Sequence, residues 1–373
     1  MEIKKIVVTG DPVFIYHQRL HFLWEAMSPY VEHLETIAYN DTIQIKAKAL
    51  SSKINYAISH KTLQSLSFHK SQQAFILKSQ QIERKIRQLK YTPDLVFHLY
   101  GMYSPFWYKF DIPYTMYLDY TMILAERNWS TWAPFIDYKE RNSWVELESQ
   151  AYKRAYHLFV MSDLVEYSLV EDYGVAPERI SVVGVSGNYK EPYEGHKSFG
   201  SKQILFNGSD FARKGGDLVL AAFRKVKQVI PEAKLVVVGK DLKIDQDGVY
   251  NIGSISSRSD MLNLFLTTDL VVAPARCDPF PLFVIEAMNY GIPCIVSAND
   301  GMPEIVDAEL NGVVINNTTA DRLSEQIVRL LSKPHLLTSM SVQAQNKIKT
   351  KFNWNNVAKN IFNVLSNQSF LKC

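Results

Sequence analysis

The sequence predicts an α/β protein built from two Rossmann-like domains, and three observations carry that prediction. Short β-branched runs alternate with longer amphipathic stretches from end to end. Such alternation is the mark of parallel sheets covered by helices, with ligands held beyond the carboxyl ends of the strands. A polar segment rich in Gly, Ser and Lys, "SGNYKEPYEGHKSFGSK" at 186–202, separates two sets of these runs and reads as a linker. At 373 residues the chain is also long enough to fill two cores. A cleft between the two domains is therefore expected.

In the first half the strand-like runs are "KKIVVTG", "DLVFHLY", "PYTMYLD", "HLFVMS" and "RISVVGV". In the second half they are "KQILFNG", "KLVVVG", "DLVVAP", "IPCIVS" and "GVVI". Hydrophobic residues at 47% and charged residues at 21% fit an ordinary globular chain. No apolar run approaches the length of a membrane-spanning helix. The opening "MEIKKIVVTG" enters a strand at once and lacks the apolar stretch of a signal peptide, so a cytoplasmic location is expected. Cys277, Cys294 and Cys373 show neither metal-ligand spacing nor a disulfide framework, and reduced thiols are the simplest reading.

The net charge of +3 hides an asymmetry. Between Asp41 and Lys90 there are ten Lys or Arg residues and only two acids, Asp41 and Glu83. A basic segment on a nearly neutral protein suggests an anionic partner surface. Within it, "KSQQAFILKSQQIERKIRQLK" reads as an amphipathic helix with Phe75, Ile76, Ile82, Ile86 and Leu89 on one side. The stretch 43–90 is accordingly expected to dock peripherally on an anionic membrane, at its inner face. The competing reading packs those apolar residues on the first sheet and leaves the cations merely solvated. No nucleic acid is expected as partner.

Chemistry concentrates in the second half. "FNGSDFARKGGDLVLAAFRKVKQVI" ends a strand at Asn207-Gly208, places Arg213 and Lys214 in a loop, and passes through Gly215-Gly216 into a helix with Asp217 as its expected N-cap. Two cations beside a glycine turn and a helix start suit a phosphate or diphosphate. The cations precede the glycines, so this is not a P-loop. Further on, "CDPFPLFVIEAMNYGIP" carries Asp278 and Glu286. Asp278 before Pro279 reads as a helix N-cap with proline in the first helical position, at a strand-to-helix turn where ligands bind. Glu286 lies in an apolar run, where an unpartnered carboxylate is costly. A carboxylate so placed can accept both hydroxyls of a ribose.

Several of these stretches, in one order, resemble the nucleotide-binding domain of family-4 glycosyltransferases of the GT-B fold. They are "ARKGGDLVLAAF", "PEAKLVVVG", "NIGSISSRSDMLNLFLTTDLVVAPA", "DPFPLFVIEAMNYGIPCIVS", "GMPEIV" and "FNWNNVAKNIF". "VEDYGVAPERISVVGVSGN" is similar to the segment that enters the interdomain linker. The resemblance implies an acceptor-side domain at 1–190 and a nucleotide-sugar-binding domain at 191–350. It also implies a terminal helix, within 351–373, that packs back on the first domain. It further implies sugar transfer from a nucleotide sugar to an acceptor hydroxyl with retention of configuration, without metal or other cofactor. The acceptor is a sugar, lipid-linked or small. Two other readings stay open: a non-catalytic nucleotide-sugar-binding protein, and an epimerase or hydrolase on the same fold.

By the same resemblance, Glu286 holds the ribose and Asp278 contacts the transferred sugar. Arg213 and Lys214 bind the diphosphate, and the backbone at Gly239-Lys240 and Ile252-Gly253 flanks the base. Gly10, Gly208, Phe280, Leu282 and Phe283 line the donor site. Asp119 stands where relatives often have His, at the end of a first-domain strand, and counts with Arg213, Lys214 and Asp278 as catalytic. After it comes a loop dense in Tyr, Trp and Phe, with Glu126 and Arg127 as further candidates. These aromatics suit either an acceptor wall or plain core. The chain departs from the family pattern at four places. Asp278 replaces the usual Glu, and Pro281, which has no N–H, replaces a Gly. Ser209 stands where Arg is common, and the loop "TGDPVF" has Gly10 without a second glycine.

Overall fold

The computed structural model describes residues 3–15, 18–40 and 70–366. Two compact units are present: residues 1–184 together with 357–373, and residues 185–356. Each is an α/β unit built on a fully parallel sheet.

The first sheet has the strand order β2-β1-β3-β4-β5-β6. These strands are β1 Lys5–Gly10, β2 His33–Ala38, β3 Leu95–Leu99, β4 Tyr114–Leu118, β5 His157–Val160 and β6 Ile180–Val182. β1 lies between β2 and β3, so Val7 pairs with both Glu35 and Val96. Central strands such as β3 "LVFHL" are buried along their whole length, the pattern of a sheet covered on both faces. The second sheet has the order β12-β11-β10-β7-β8-β9. Its strands are β7 Gln203–Asn207, β8 Lys234–Val238, β9 Val249–Gly253, β10 Leu270–Ala273, β11 Cys294–Ser297 and β12 Gly312–Ile315.

Two edge strands, β2 "HLETIA" and β9 "VYNIG", are absent from the strand runs expected above. These two edges are partly exposed, so they mix polar and apolar residues and lack the unbroken apolar run of a central strand. The segment 186–202 packs on the second unit instead of hanging free. The Ser186 and Tyr189 hydroxyls donate to the Phe352 carbonyl at 2.9 and 2.8 Å, and Tyr193 N–H donates to Asn289 at 2.9 Å. The last helix, Trp354–Ser366, carries the chain back into the first unit, where Phe362 stacks on Tyr30 with ring centroids 4.5 Å apart.

The helix Gln72–Arg87 follows the competing reading, with its apolar residues packed in the first unit. Ser71 caps it by accepting the Ala74 N–H, and the apolar side is spent on the core, where Phe75, Ile82 and Ile86 are buried. Three of its cations are engaged as well. Lys78 is 1% exposed and lies 4.9 Å from the Tyr39 ring centroid. Lys85 donates to the Ala38 carbonyl, and Arg87 pairs with Glu83 and Asp111. The apolar side of this helix therefore belongs to the core. The rest of the basic stretch, 43–69, lies outside the described residues. Among the described residues no helix is long and apolar enough to cross a membrane.

Candidate functional site

β7 ends at Asn207, and the loop behind it delivers two cations. Gly215 makes this possible: it sits at φ +76°, and a Cβ there would lie 2.4 Å from the Pro274 carbonyl oxygen. It is Gly215, not Asp217, that occupies the N-cap of the helix Gly216–Val229. Asp217 belongs to the first turn and forms a two-pronged ion pair with Arg276 at 2.8 and 2.7 Å. That guanidinium holds the Asp217 carboxyl below its usual pKa. The glycine N–H groups are used within the turn itself, Gly216 donating to Phe211 and Gly215 to Ala212. Any anion here meets side-chain cations before it meets the helix end.

Those cations converge on one carboxylate. Lys214 Nζ lies 2.9 Å and Arg213 Nη1 3.5 Å from Oδ2 of Asp278. Arg213 is fixed independently, since Nε donates to Asp210 at 2.8 Å and Nη1 to the Cys277 carbonyl at 2.6 Å. The side chains of Arg213, Lys214 and Asp278 are only 10%, 15% and 12% exposed, so solvent screens the cluster weakly. Asp278 does not cap a helix. The helix following it is Leu282–Asn289 with Pro281 at the N-cap, and no side chain caps it. The carboxylate is free of that duty because the chain turns through Pro279 and Phe280 before becoming helical. Its backbone N–H donates to Asp300 at 2.7 Å, and Asp300 holds φ +50° to make that contact. Lys214 and Asp278 also line a small hollow whose other walls include Phe206, Val272, Pro281 and Phe283.

Glu286 sits in the middle of the 282–289 helix, half-buried, and its Oε1 accepts the Asn188 N–H at 3.1 Å. The local cost of a carboxylate in an apolar run is thus offset by a backbone donor from the 186–202 segment. Phe280 is buried beside Phe352, Phe283 lies against Phe265, and Leu282 is half-buried. At the end of β8, Gly239 has φ +102°, and a Cβ would lie 2.8 Å from Asn207 Oδ1 and 3.0 Å from Ser209 N. Its N–H donates to the Gly253 carbonyl and joins the β8 and β9 ends. Gly208 donates to Val238, while Lys240 and Ile252 are exposed at the same edge. The second unit therefore holds Gly208, Arg213, Lys214, Gly239, Lys240, Ile252 and Asp278 in or just after the ends of its strands, with Glu286 in the middle of the 282–289 helix. Asp210 and Asp300, which position that group, carry no sequence signal of their own.

Gly10 and Asp119 belong to the first unit, at the carboxyl ends of β1 and β4. The aromatics after Asp119 mostly serve the core. Trp132 and Phe135 pack against it, and Thr121 caps the helix Met122–Asn128. Glu126 is paired with Arg141 and Arg127 with Asp172, so both cleft candidates hold helices together. Sequence reading passed over Glu148. It is fully buried and accepts from the Tyr152 and Tyr173 hydroxyls and from Met122 N–H, just past Asp119. Burial pushes its pKa up to about 7. Among the described residues no three His, Cys, Asp or Glu cluster as metal ligands.

Two parallel α/β units, one of them with a cation–carboxylate cluster at its strand ends, define a protein of the GT-B class. Sucrose-phosphate synthase from Thermosynechococcus elongatus shares the fold with a TM-score of 0.68 at 17% identity, over 99% of this chain and all of that one. Residues 194–347 match the family model of glycosyl transferases group 1. An uncharacterized glycosyltransferase of Methanocaldococcus jannaschii is 29% identical over 173 residues, 44% of each chain. A GDP-mannose-dependent monoacylated alpha-(1-6)-phosphatidylinositol monomannoside mannosyltransferase of Corynebacterium glutamicum is 25% identical over 180 residues. That match covers 44% of this chain and 47% of the relative. The aligned stretch thus spans less than half the length of either relative.

Proposed function

We propose that this protein transfers a sugar from a nucleotide-sugar donor to an acceptor hydroxyl with retention of configuration. The observation that carries the reading is the Arg213–Lys214–Asp278 cluster with Glu286 on the helix behind it, all at the strand ends of one Rossmann-like unit. Glu286 takes the ribose hydroxyls, and the turns at Gly239-Lys240 and Ile252-Gly253 flank the base. Arg213 and Lys214 take the diphosphate and stabilise the charge that grows on it as the bond from sugar to phosphate breaks. Two weakly solvated cations supply the electrostatics a divalent ion would otherwise bring, so the transfer is metal-independent and needs no cofactor. The acceptor oxygen bonds to the anomeric carbon on the departing face, and its proton passes to the diphosphate. Asp278 meets the transferred sugar, and Asp119 serves the acceptor, a sugar that is lipid-linked or small. The Corynebacterium relative, named for its use of GDP-mannose, supports the donor class.

The test is a thermal-shift screen with nucleoside diphosphates and nucleotide sugars, followed by product analysis with a panel of acceptors. Ligand held at 100 times its dissociation constant stabilises by about 2.7 kcal/mol. Stabilisation by a diphosphate and its sugar, with acceptor-dependent turnover, is expected. No response to any nucleotide overturns the reading, and donor breakdown without acceptor turns it into a hydrolase.

A further inference from the structure

The Asp278 carboxylate already sits on the two cations assigned to the diphosphate, 2.9 Å from Lys214 and 3.5 Å from Arg213. Resting on the function proposed above, we propose that Asp278 is an exchangeable counter-ion: the donor's diphosphate displaces its carboxylate from Lys214 and Arg213, and that exchange releases it toward the sugar.

Charge and anchoring both support the exchange. The cluster of Arg213, Lys214, Asp210 and Asp278 balances two cations with two carboxylates. A diphosphate brings at least two further negative charges into a weakly screened site. Water screens like charges poorly in so enclosed a site, so the Asp278 carboxylate and the diphosphate compete for the same two cations. Asp210 stays, because it holds Arg213 through Nε on the far side of the guanidinium from Nη1. Asp278 is the one that yields. Arg213 does not need Asp278, since Asp210 and the Cys277 carbonyl keep its guanidinium in place.

Release does not let the Asp278 backbone drift. Its N–H is bonded to Asp300, on a residue held at φ +50°, so only the side chain swings. The donor sugar thereby meets its carboxylate only after its own diphosphate is seated.

The experiment measures binding of inorganic pyrophosphate, UDP and GDP by calorimetry and thermal shift to the full chain, to Asp278→Asn and to Asp278→Glu. Removing the competing charge should tighten pyrophosphate, and whichever diphosphate binds, by about tenfold in Asp278→Asn. Asp278→Glu keeps the charge and should bind as the natural protein does. Turnover of a nucleotide sugar should fall in Asp278→Asn although its diphosphate binds better. Should Asp278→Asn fold poorly, pyrophosphate should raise its melting temperature more than it raises that of the natural protein. Unchanged or weaker anion binding in Asp278→Asn, with no larger thermal shift, overturns the exchange while leaving the donor assignment standing. Tighter pyrophosphate without response to any nucleotide keeps the exchange and removes the glycosyltransferase reading.

Discussion

Lys214 and Asp278, separated by 63 residues of chain, meet at 2.9 Å between Nζ and Oδ2 with neither side chain more than 15% exposed. Because water screens such a pair weakly, the proposed function places the donor's diphosphate at these cations. Alanine at Lys214 or Arg213 should therefore reduce turnover more than it raises the apparent donor constant, since the charge they face grows in the transition state. A loss of about 10²- to 10³-fold in kcat is expected. Steady-state kinetics with varied donor checks it, and a change confined to KM would show that the two cations bind without aiding departure.

Glu286 accepts the Asn188 N–H from the middle of the 282–289 helix. Glu286→Gln keeps the shape and can still accept that N–H through its amide oxygen. Nucleotide affinity should fall by about 1.5–3 kcal/mol, the range for a hydrogen bond to a charged group, with little change in melting temperature. Calorimetric titration measures the first and scanning calorimetry the second. Lost stability with unchanged affinity would make Glu286 purely structural.

The buried Glu148 carboxyl should imprint a pH dependence on stability. Its pKa rises from 4.5 to about 7 on folding, chiefly through burial, partly offset by the Tyr173 and Tyr152 hydroxyls and by the positive charge of Lys70. Lys70, itself pushed down to about 8 by burial, stays mostly charged below pH 7. Between those two carboxyl values the unfolded chain has released a proton that the folded chain keeps, so stability falls as pH rises and levels off above. The loss amounts to up to about 3 kcal/mol. Denaturant titrations from pH 4.5 upward should show it, and Glu148→Gln should flatten the curve. An equal slope in the variant would assign the effect elsewhere.

Gly239 holds φ +102°, and a Cβ there would lie 2.8 Å from Asn207 Oδ1 and 2.9 Å from Ser209 Cβ. Gly239→Ala should cost about 1–3 kcal/mol from backbone strain and shift the β7 and β8 ends where the base is expected. Thermal denaturation reads the stability, and nucleotide titration reads the displaced turn. A fully stable variant would mean the turn relaxes freely.

Arg87 ties Glu83 to Asp111. Glu83 in turn accepts three successive N–H groups, from Trp107, Tyr108 and Lys109. Arg87→Gln should lower stability by about 1 kcal/mol and leave liposome binding as it was. Co-sedimentation with anionic vesicles decides: a large loss of binding would mean that Arg87 faces lipid after all.

The sequence by itself determined the two-domain α/β plan, because buried parallel strands need unbroken β-branched runs such as "KLVVVG" and "DLVVAP". It also marked Arg213, Lys214, Asp278 and Glu286, since charges beside glycines or within apolar runs stand out against their neighbours. The edge strands β2 and β9 were not legible, because half-exposed strands write no distinctive pattern. Only the tertiary structure decided how the marked residues are used. It made Gly215 the helix cap, paired Asp217 with Arg276, and turned Asp278 from a cap into the counter-ion of Lys214. It brought Asp210 and Asp300 in as supports, and it sank the apolar side of the 72–87 helix into the core. The physical reason is that local pattern fixes which face of an element is apolar. Which partner that face or charge meets depends on strand order and on residues far away in the chain.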